Sequence, residues 1–198
     1  MLWMLSFMDV SFGVATRIPL EDYAKFVGYG VGGEVGFRYF FTDLFGVGLK
    51  AGGYYHFQRL AKDSVGGVWY KQNTQANVFP ASLNLVMNFY LAEGVSLMVS
   101  VGGGGNFSLY TYDRRVGVYD SASASWNVRE EEGNYKVGGY LINFEAAFRM
   151  TDFDIFMGVN ILQTEINRVD MLEGKETIDK GAYPALYIGT RYFIKFGV

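Results

Sequence analysis

From Val95 the chain alternates strictly, Val95, Leu97, Val99 and Val101 being set against Ser96, Met98, Ser100 and Gly102. Period two is the signature of a β-strand with two different faces. The uncharged run from Gly94 to Tyr112 is long enough to suggest a transmembrane helix. The four consecutive glycines Gly102–Gly105 would cripple one, and the strand reading stands. The same alternation recurs and predicts strands over residues 6–18, 25–41, 46–60, 77–90, 95–112, 136–150, 153–166 and 182–196.

The two faces differ in kind. Over 25–41, Val27, Tyr29, Val31, Val35, Phe37 and Tyr39 oppose Phe26, Gly28, Gly30, Gly32, Glu34, Gly36 and Arg38. Over 77–90, Phe79, Ala81, Leu83, Leu85, Met87 and Phe89 oppose Pro80, Ser82, Asn84, Val86, Asn88 and Tyr90. In the strand at 46–60, His56 and Gln58 share the polar face. None of the apolar faces carries a charge. A soluble barrel of lipocalin type would also alternate, but its polar face would be rich in Lys and Glu to suit water. Here that face is glycine, serine and asparagine with sparse charges of both signs. Small residues suit the interior of a narrow eight-stranded barrel, which side chains alone can fill. Uncharged apolar faces suit hydrocarbon, where a charge near the midplane costs about 2–4 kcal/mol. The expectation is an all-β, eight-stranded, antiparallel up-and-down transmembrane β-barrel, one domain over residues 1–198.

Aromatic residues and turns agree with this. One end of the strands carries Tyr39, Phe40, Phe41, Phe45, Phe89, Tyr90, Phe148, Phe153, Tyr192, Phe193 and Phe196. The other carries Tyr55, Phe57, Phe79, Phe107, Tyr110, Tyr112, Tyr140 and Tyr183. Two girdles are what amphipathic rings form at the two membrane–water boundaries. Connections at 42–44, 91–94 and 151–152 are tight, whereas 61–76, 113–135 and 167–181 read as long polar loops. Short periplasmic turns and long external loops are the usual pattern, which implies the bacterial outer membrane. The apolar start, Met1 to Met8, lacks a basic n-region and a small-residue cleavage site, and reads as a mature or truncated beginning.

Composition removes several function classes. A net charge of −3 argues against a nucleic-acid partner. Without cysteine there is neither a disulfide nor a thiolate metal site, and no cofactor or metal is indicated. Gly28 to Gly33 spells G-x-G-x-x-G, yet it lies inside an alternating strand, not between strand and helix, and reads as packing. His56, the only histidine, has no G-x-S-x-G partner, so no catalytic role is assigned; an interior histidine bonded to Tyr54 or an asparagine is expected.

The interior charges form the candidate polar site: Glu34, Arg38, Lys50, Glu145, Arg149, Asp154 and Arg191, with Asp9 and Lys195 as further members. If Thr151-Asp152 is a hairpin turn, Arg149 faces Asp154 inside the barrel. A closed network makes a plug, and gaps in it make a water path. The acidic stretches Glu130-Glu131-Glu132 and Asp170, Glu173, Glu176 and Asp179 read as solvated loops. Trp69, Tyr70, Tyr119 and Trp126 are candidates for an adhesive surface.

Three stretches, Phe37–Val47 with Thr42-Asp43 at its turn, Phe79-Pro80-Ala81-Ser82-Leu83-Asn84-Leu85, and Tyr183–Phe193, resemble the OmpW family of outer-membrane barrels. Shorter parts of them also resemble OmpA-like barrels, and the ending Phe196-Gly197-Val198 departs from a terminal aromatic. The resemblance implies a passive conduit for small, mostly hydrophobic molecules, with outer-membrane lipid and the barrel-assembly machinery as partners. Phe26, Val86, Met98, Phe156 and Leu162 would then line an apolar lumen with a lateral exit between strands. The alternative is a structural or surface-interaction barrel of OmpA or OmpX type, with a sealed core and ligand-binding external loops.

Overall fold

A computed structural model describes residues 7–197; the apolar opening Met1–Ser6 and the terminal Val198 lie outside the described residues. Eight strands close into one antiparallel ring in chain order, β1 pairing with both β2 and β8. They are β1 Phe7–Pro19, β2 Gly30–Phe40, β3 Phe45–Val65, β4 Val68–Ala92, β5 Val95–Asp120, β6 Ser125–Met150, β7 Phe153–Val169 and β8 Glu176–Gly197. Between β1 and β2 lies a single helical turn, α1 Tyr23–Phe26.

Strand parity decides which side chains meet which medium. On β4, Phe79, Leu83, Leu85 and Phe89 are exposed on the outside, while Ser82, Asn84, Val86 and Asn88 are buried within. The exterior between the two aromatic rings is an unbroken apolar belt that includes Val14, Val35, Leu49, Leu85, Val101, Phe144, Met157 and Ile188. Leu85 is 64% exposed and Val14 66%, values that only hydrocarbon makes economical for such side chains. No described helix is long and apolar enough to cross a membrane; the spanning elements are the strands.

Several expectations are corrected. The stretches at 61–76, 113–135 and 167–181 are mostly strand, because the ladder continues past the belt and turns back only at Gly66-Gly67, at 121–124 and between Asp170 and Lys175. Gly66 and Gly67 have φ of +59° and +85°, the left-handed pair that a two-residue hairpin demands. The second strand begins at Gly30, not residue 25, and Phe26 therefore comes from α1. A bulge after His56 changes the register of β3 and turns Gln58 outward, off the His56 face. Phe40, Tyr110, Tyr183 and Phe193 are buried inside the ring, and Tyr112 shares their inward parity. The outward rings are instead Phe45, Phe89, Phe148, Phe153, Tyr192 and Phe196 at the short-turn end, and Tyr29, Tyr55, Phe57, Phe79, Phe107 and Tyr140 at the other.

The belt yields a direct prediction. Leu85→Arg places a cation near its middle and should make folding into liposomes less favourable by about 2–4 kcal/mol. Leu172→Arg, in the exposed β7–β8 turn, should change it by less than about 0.5 kcal/mol. Urea titration in phosphatidylcholine vesicles reads both.

Candidate functional site

Inside the short-turn half of the barrel, the charges of six strands converge. β1 supplies Asp9, β2 Glu34 and Arg38, β3 Lys50, β6 Glu145 and Arg149, β7 Asp154, and β8 Arg191. Register brings them together: Asp9 lies opposite Arg38, and Asp154 lies between Arg149 and Arg191 on the flanking strands. Arg38 Nε donates to Asp9 Oδ1 at 2.6 Å and its Nη1 to Asp154 Oδ2 at 3.1 Å. Arg149 Nε donates to Asp154 Oδ1 at 2.9 Å and its Nη1 to Asp9 Oδ2 at 3.0 Å. Two aspartates and two arginines thus form a closed four-membered ring.

A second cluster sits above it. Glu145 takes Lys50 Nζ at 2.7 Å and also pairs with Arg191, whose Nη1 is 3.5 Å from Glu34 Oε1. Arg191 Nε, 3.7 Å from Asp154 Oδ2, joins the two clusters. Tyr187 donates to Glu145 at 3.0 Å and Tyr54 to Glu34 at 3.1 Å, so the carboxylates have hydroxyl as well as cationic donors. The Phe193 ring lies 3.8 Å from the Arg149 guanidinium and the Phe156 ring 4.0 Å from that of Arg191. Lys195 is exposed at the rim, 5.3 Å from the Phe193 ring, and stands apart from these pairs. Asp9, which parity placed only at the margin of the site, is fully buried at its centre.

The five apolar residues assigned to a lumen are all buried, but in two separate packings. Val86, Met98 and Phe156 pack with Ala15, Phe40, Tyr54, Ala147 and Tyr187 beside the ionic layer. Phe26 and Leu162 pack above it with Tyr23, Val27, Tyr110, Val137, Leu141 and Ile166, so α1 fills the barrel mouth. A cavity of about 30 Å³ lies beside Arg38, Lys50, Met98 and Glu145, and one of about 10 Å³ beside Glu34, Tyr54 and Asn160. Both are of the order of a single water.

One seam interrupts the ring. β6 and β7 pair only from Met150↔Phe153 to Leu141↔Leu162, while β5–β6 and β7–β8 run further. Beyond that level, next to the outward Tyr140, side chains bridge the seam. Asn106 Nδ2 donates to the carbonyls of Tyr140 and Gln163, and the Asn167 N–H donates to the Tyr135 hydroxyl.

Past the belt, β3 to β6 continue as an extended sheet. On its outer face Trp69 covers Gly117, where a Cβ would run into the indole ring. Trp126 adjoins it, with ring centroids 6.5 Å from Trp69 and 5.4 Å from Tyr119. The neighbouring cross-strand row reads Lys62, Lys71, Arg115, Glu130. Arg115 pairs with Glu130 at 2.9 Å, and among the described residues neither lysine has a carboxylate within 4.0 Å. Like charges directly opposite on a sheet repel, so this row concentrates uncompensated positive charge. Tyr70, in contrast, is buried on the inner face. The acidic stretches are tied into ion pairs: Glu131 binds Arg114 and Arg129, and Asp179 faces Arg168. No group of His, Asp or Glu among the described residues could hold a metal ion. His56 is buried with Nδ1 2.9 Å from the Gly28 carbonyl, not bonded to Tyr54 or an asparagine.

The chain matches no protein-family model and no curated protein by sequence. Among solved structures it is similar to Ail, the attachment invasion locus protein of Yersinia pestis, crystallised with the heparin analogue sucrose octasulfate. The TM-score is 0.53 at 15% identity, covering 96% of this chain and 100% of that one. It is also similar to OprG of Pseudomonas aeruginosa (0.48, 18%, 96% of each chain) and to the N-terminal β-barrel domain of Pseudomonas aeruginosa OprF (0.43, 14%, 94% and 97%). The likeness to Ail shows the fold: an eight-stranded barrel of the outer-membrane type.

The ionic ring predicts a large effect from a small change. Asp154→Ala removes the shared partner of Arg149 and Arg38 and leaves their charges buried. It should cost about 3–5 kcal/mol, read as a shift of the guanidinium unfolding midpoint in detergent micelles, whereas Asp152→Ala in the exposed turn should leave that midpoint within error.

Proposed function

We propose that this chain is an outer-membrane surface protein, a sealed barrel that carries an external sheet for attachment to anionic, glycan-like partners. One observation carries the reading: Trp69 and Trp126, with rings inclined at 56°, form an exposed aromatic cluster next to the cation row Lys62, Lys71 and Arg115, on strands that run beyond the belt. Sugar rings stack on aromatic faces, and sulfate or carboxylate groups complement a cation row. The filled interior supports the same reading, since its cavities hold no more than about one water each. The end with short turns at 41–44, 93–94 and 151–152 faces the periplasm on this account, and the extended hairpins face outward. The heparin-analogue complex of Ail is a property of that protein, and it makes heparin a sensible first probe here.

A second reading, an OmpW-like conduit for small apolar solutes, is favoured by the β6–β7 seam, where backbone pairing stops above the ionic layer. Its passage would run between Leu141 and Leu162 to the bilayer. Uptake of a small apolar solute by proteoliposomes no faster than by empty vesicles would end it.

The attachment reading is tested with proteoliposomes on immobilised heparin. The double change Lys62→Glu with Lys71→Glu should weaken retention about tenfold or more, a loss of about 1.4 kcal/mol, as should Trp69→Ala with Trp126→Ala. Neutral dextran should retain none of them. Equal retention of both variants and the unaltered protein would overturn it.

A further inference from the structure

The membrane-spanning interior does not balance its charges. Its cations are Arg17, Arg38, Lys50, Arg149 and Arg191, and its carboxylates are Asp9, Glu34, Glu145 and Asp154. Five stand against four. The two clusters described above use every carboxylate and four of the cations, and Arg17 is left over. Arg114, buried further out, has its own partner in Glu131 and does not alter the balance.

Arg17 is the most anomalous side chain in the protein. It is 0% exposed, and among the described residues none of its three guanidinium nitrogens has a protein hydrogen-bond partner. Among the described residues its directed contact is the Tyr54 ring, 5.4 Å from the guanidinium carbon. Burying an unpaired cation costs several kcal/mol, and a guanidinium does not escape by losing its proton.

The surroundings suit a small guest. One cross-strand row holds Arg17, Gly30, His56, Ala76 and Tyr110, with Tyr187 on the other side of Arg17. Tyr23 and Tyr110 hydroxyls are 3.1 Å apart, and Tyr110 is 2.9 Å from the Thr164 hydroxyl. Three hydroxyl protons serve two contacts, so one remains free to donate. His56 is not a further donor. Its Nδ1 must give its proton to the Gly28 carbonyl, which leaves Nε2 as a lone pair.

We infer that the barrel interior binds one halide-sized monovalent anion beside Arg17, in the tyrosine-lined layer beneath α1. The guanidinium supplies charge and donors, and the spare hydroxyl of the Tyr23–Tyr110–Thr164 relay is a further donor. Size selects a halide over bulkier anions, because Arg17 is fully buried among Tyr23, Tyr110 and Tyr187, which are themselves buried. The anion restores neutrality to the interior and makes the barrel's stability depend on halide concentration. The rival is a single water bridging Arg17 to the Nε2 lone pair of His56.

Bromide is the probe. Crystals of the full chain grown in sodium bromide should show an anomalous peak within about 4 Å of the Arg17 guanidinium. In micelles, with ionic strength held by gluconate, the thermal midpoint should rise by about 3–5 °C for each tenfold increase in bromide above its dissociation constant. Arg17→Met should abolish that dependence. If the variant does not fold, the unaltered protein still decides the matter. An absent anomalous peak, together with equal midpoints in bromide and gluconate, would overturn the proposal.

Discussion

In hydrocarbon no water is at hand to receive a backbone N–H or C=O, so every strand must be paired on both edges. Eight strands meet that demand only by closing on themselves, and the pairing of β1 with β8 completes the ring. Closure then dictates the rest. Side chains alternate between lipid and a narrow interior, so each strand must be apolar at every second position and small or pairable at the others. Gly158 and Gly189 show how tight the inside is. A Cβ on the first would meet the Tyr187 ring at 2.5 Å, and one on the second the Phe156 ring at 2.7 Å.

The same closure makes the interior electrostatics unforgiving. Charges inside a low-dielectric ring must be neutralised by one another, and four carboxylates on β1, β2, β6 and β7 are shared among cations from β2, β3, β6 and β8. The network therefore ties together strands far apart in sequence and seals the short-turn half. Beyond the belt the strands need no apolar face and can carry charge and exposed aromatics, and there the proposed attachment surface lies.

Parity within the belt was legible in the sequence, because lipid leaves so little freedom there: Phe79, Leu83 and Leu85 against Ser82 and Asn84 could be read directly. Past the belt both faces tolerate polar residues. Lys71 and Asn73 outside and Gln72 and Thr74 inside therefore read as loop, although they form one ladder with β5. The aromatics Phe40, Tyr110, Tyr183 and Phe193 were placed by position along the strand without regard to face, which put interior rings into the girdles. The four-residue α1 carries too short a pattern to be recognised, and Phe26 was drawn into a strand. Arg17 was missed altogether. The signal was present, since it follows Asp9, Ser11 and Ala15 in the same odd-numbered inward register of β1, but its lack of a partner is visible only in three dimensions.

The absence of cysteine permits the most direct test of the outward apolar face. Single spin labels are placed at each position from Ala81 to Asn88 in bilayers, and their collision rates with dissolved oxygen and with a water-soluble nickel chelate are measured. The account requires a two-residue oscillation, with oxygen favoured at Ala81, Leu83, Leu85 and Met87 and excluded at Ser82, Asn84, Val86 and Asn88. Nickel contact at Leu83 and Leu85, or no oscillation, would contradict a lipid-facing apolar surface.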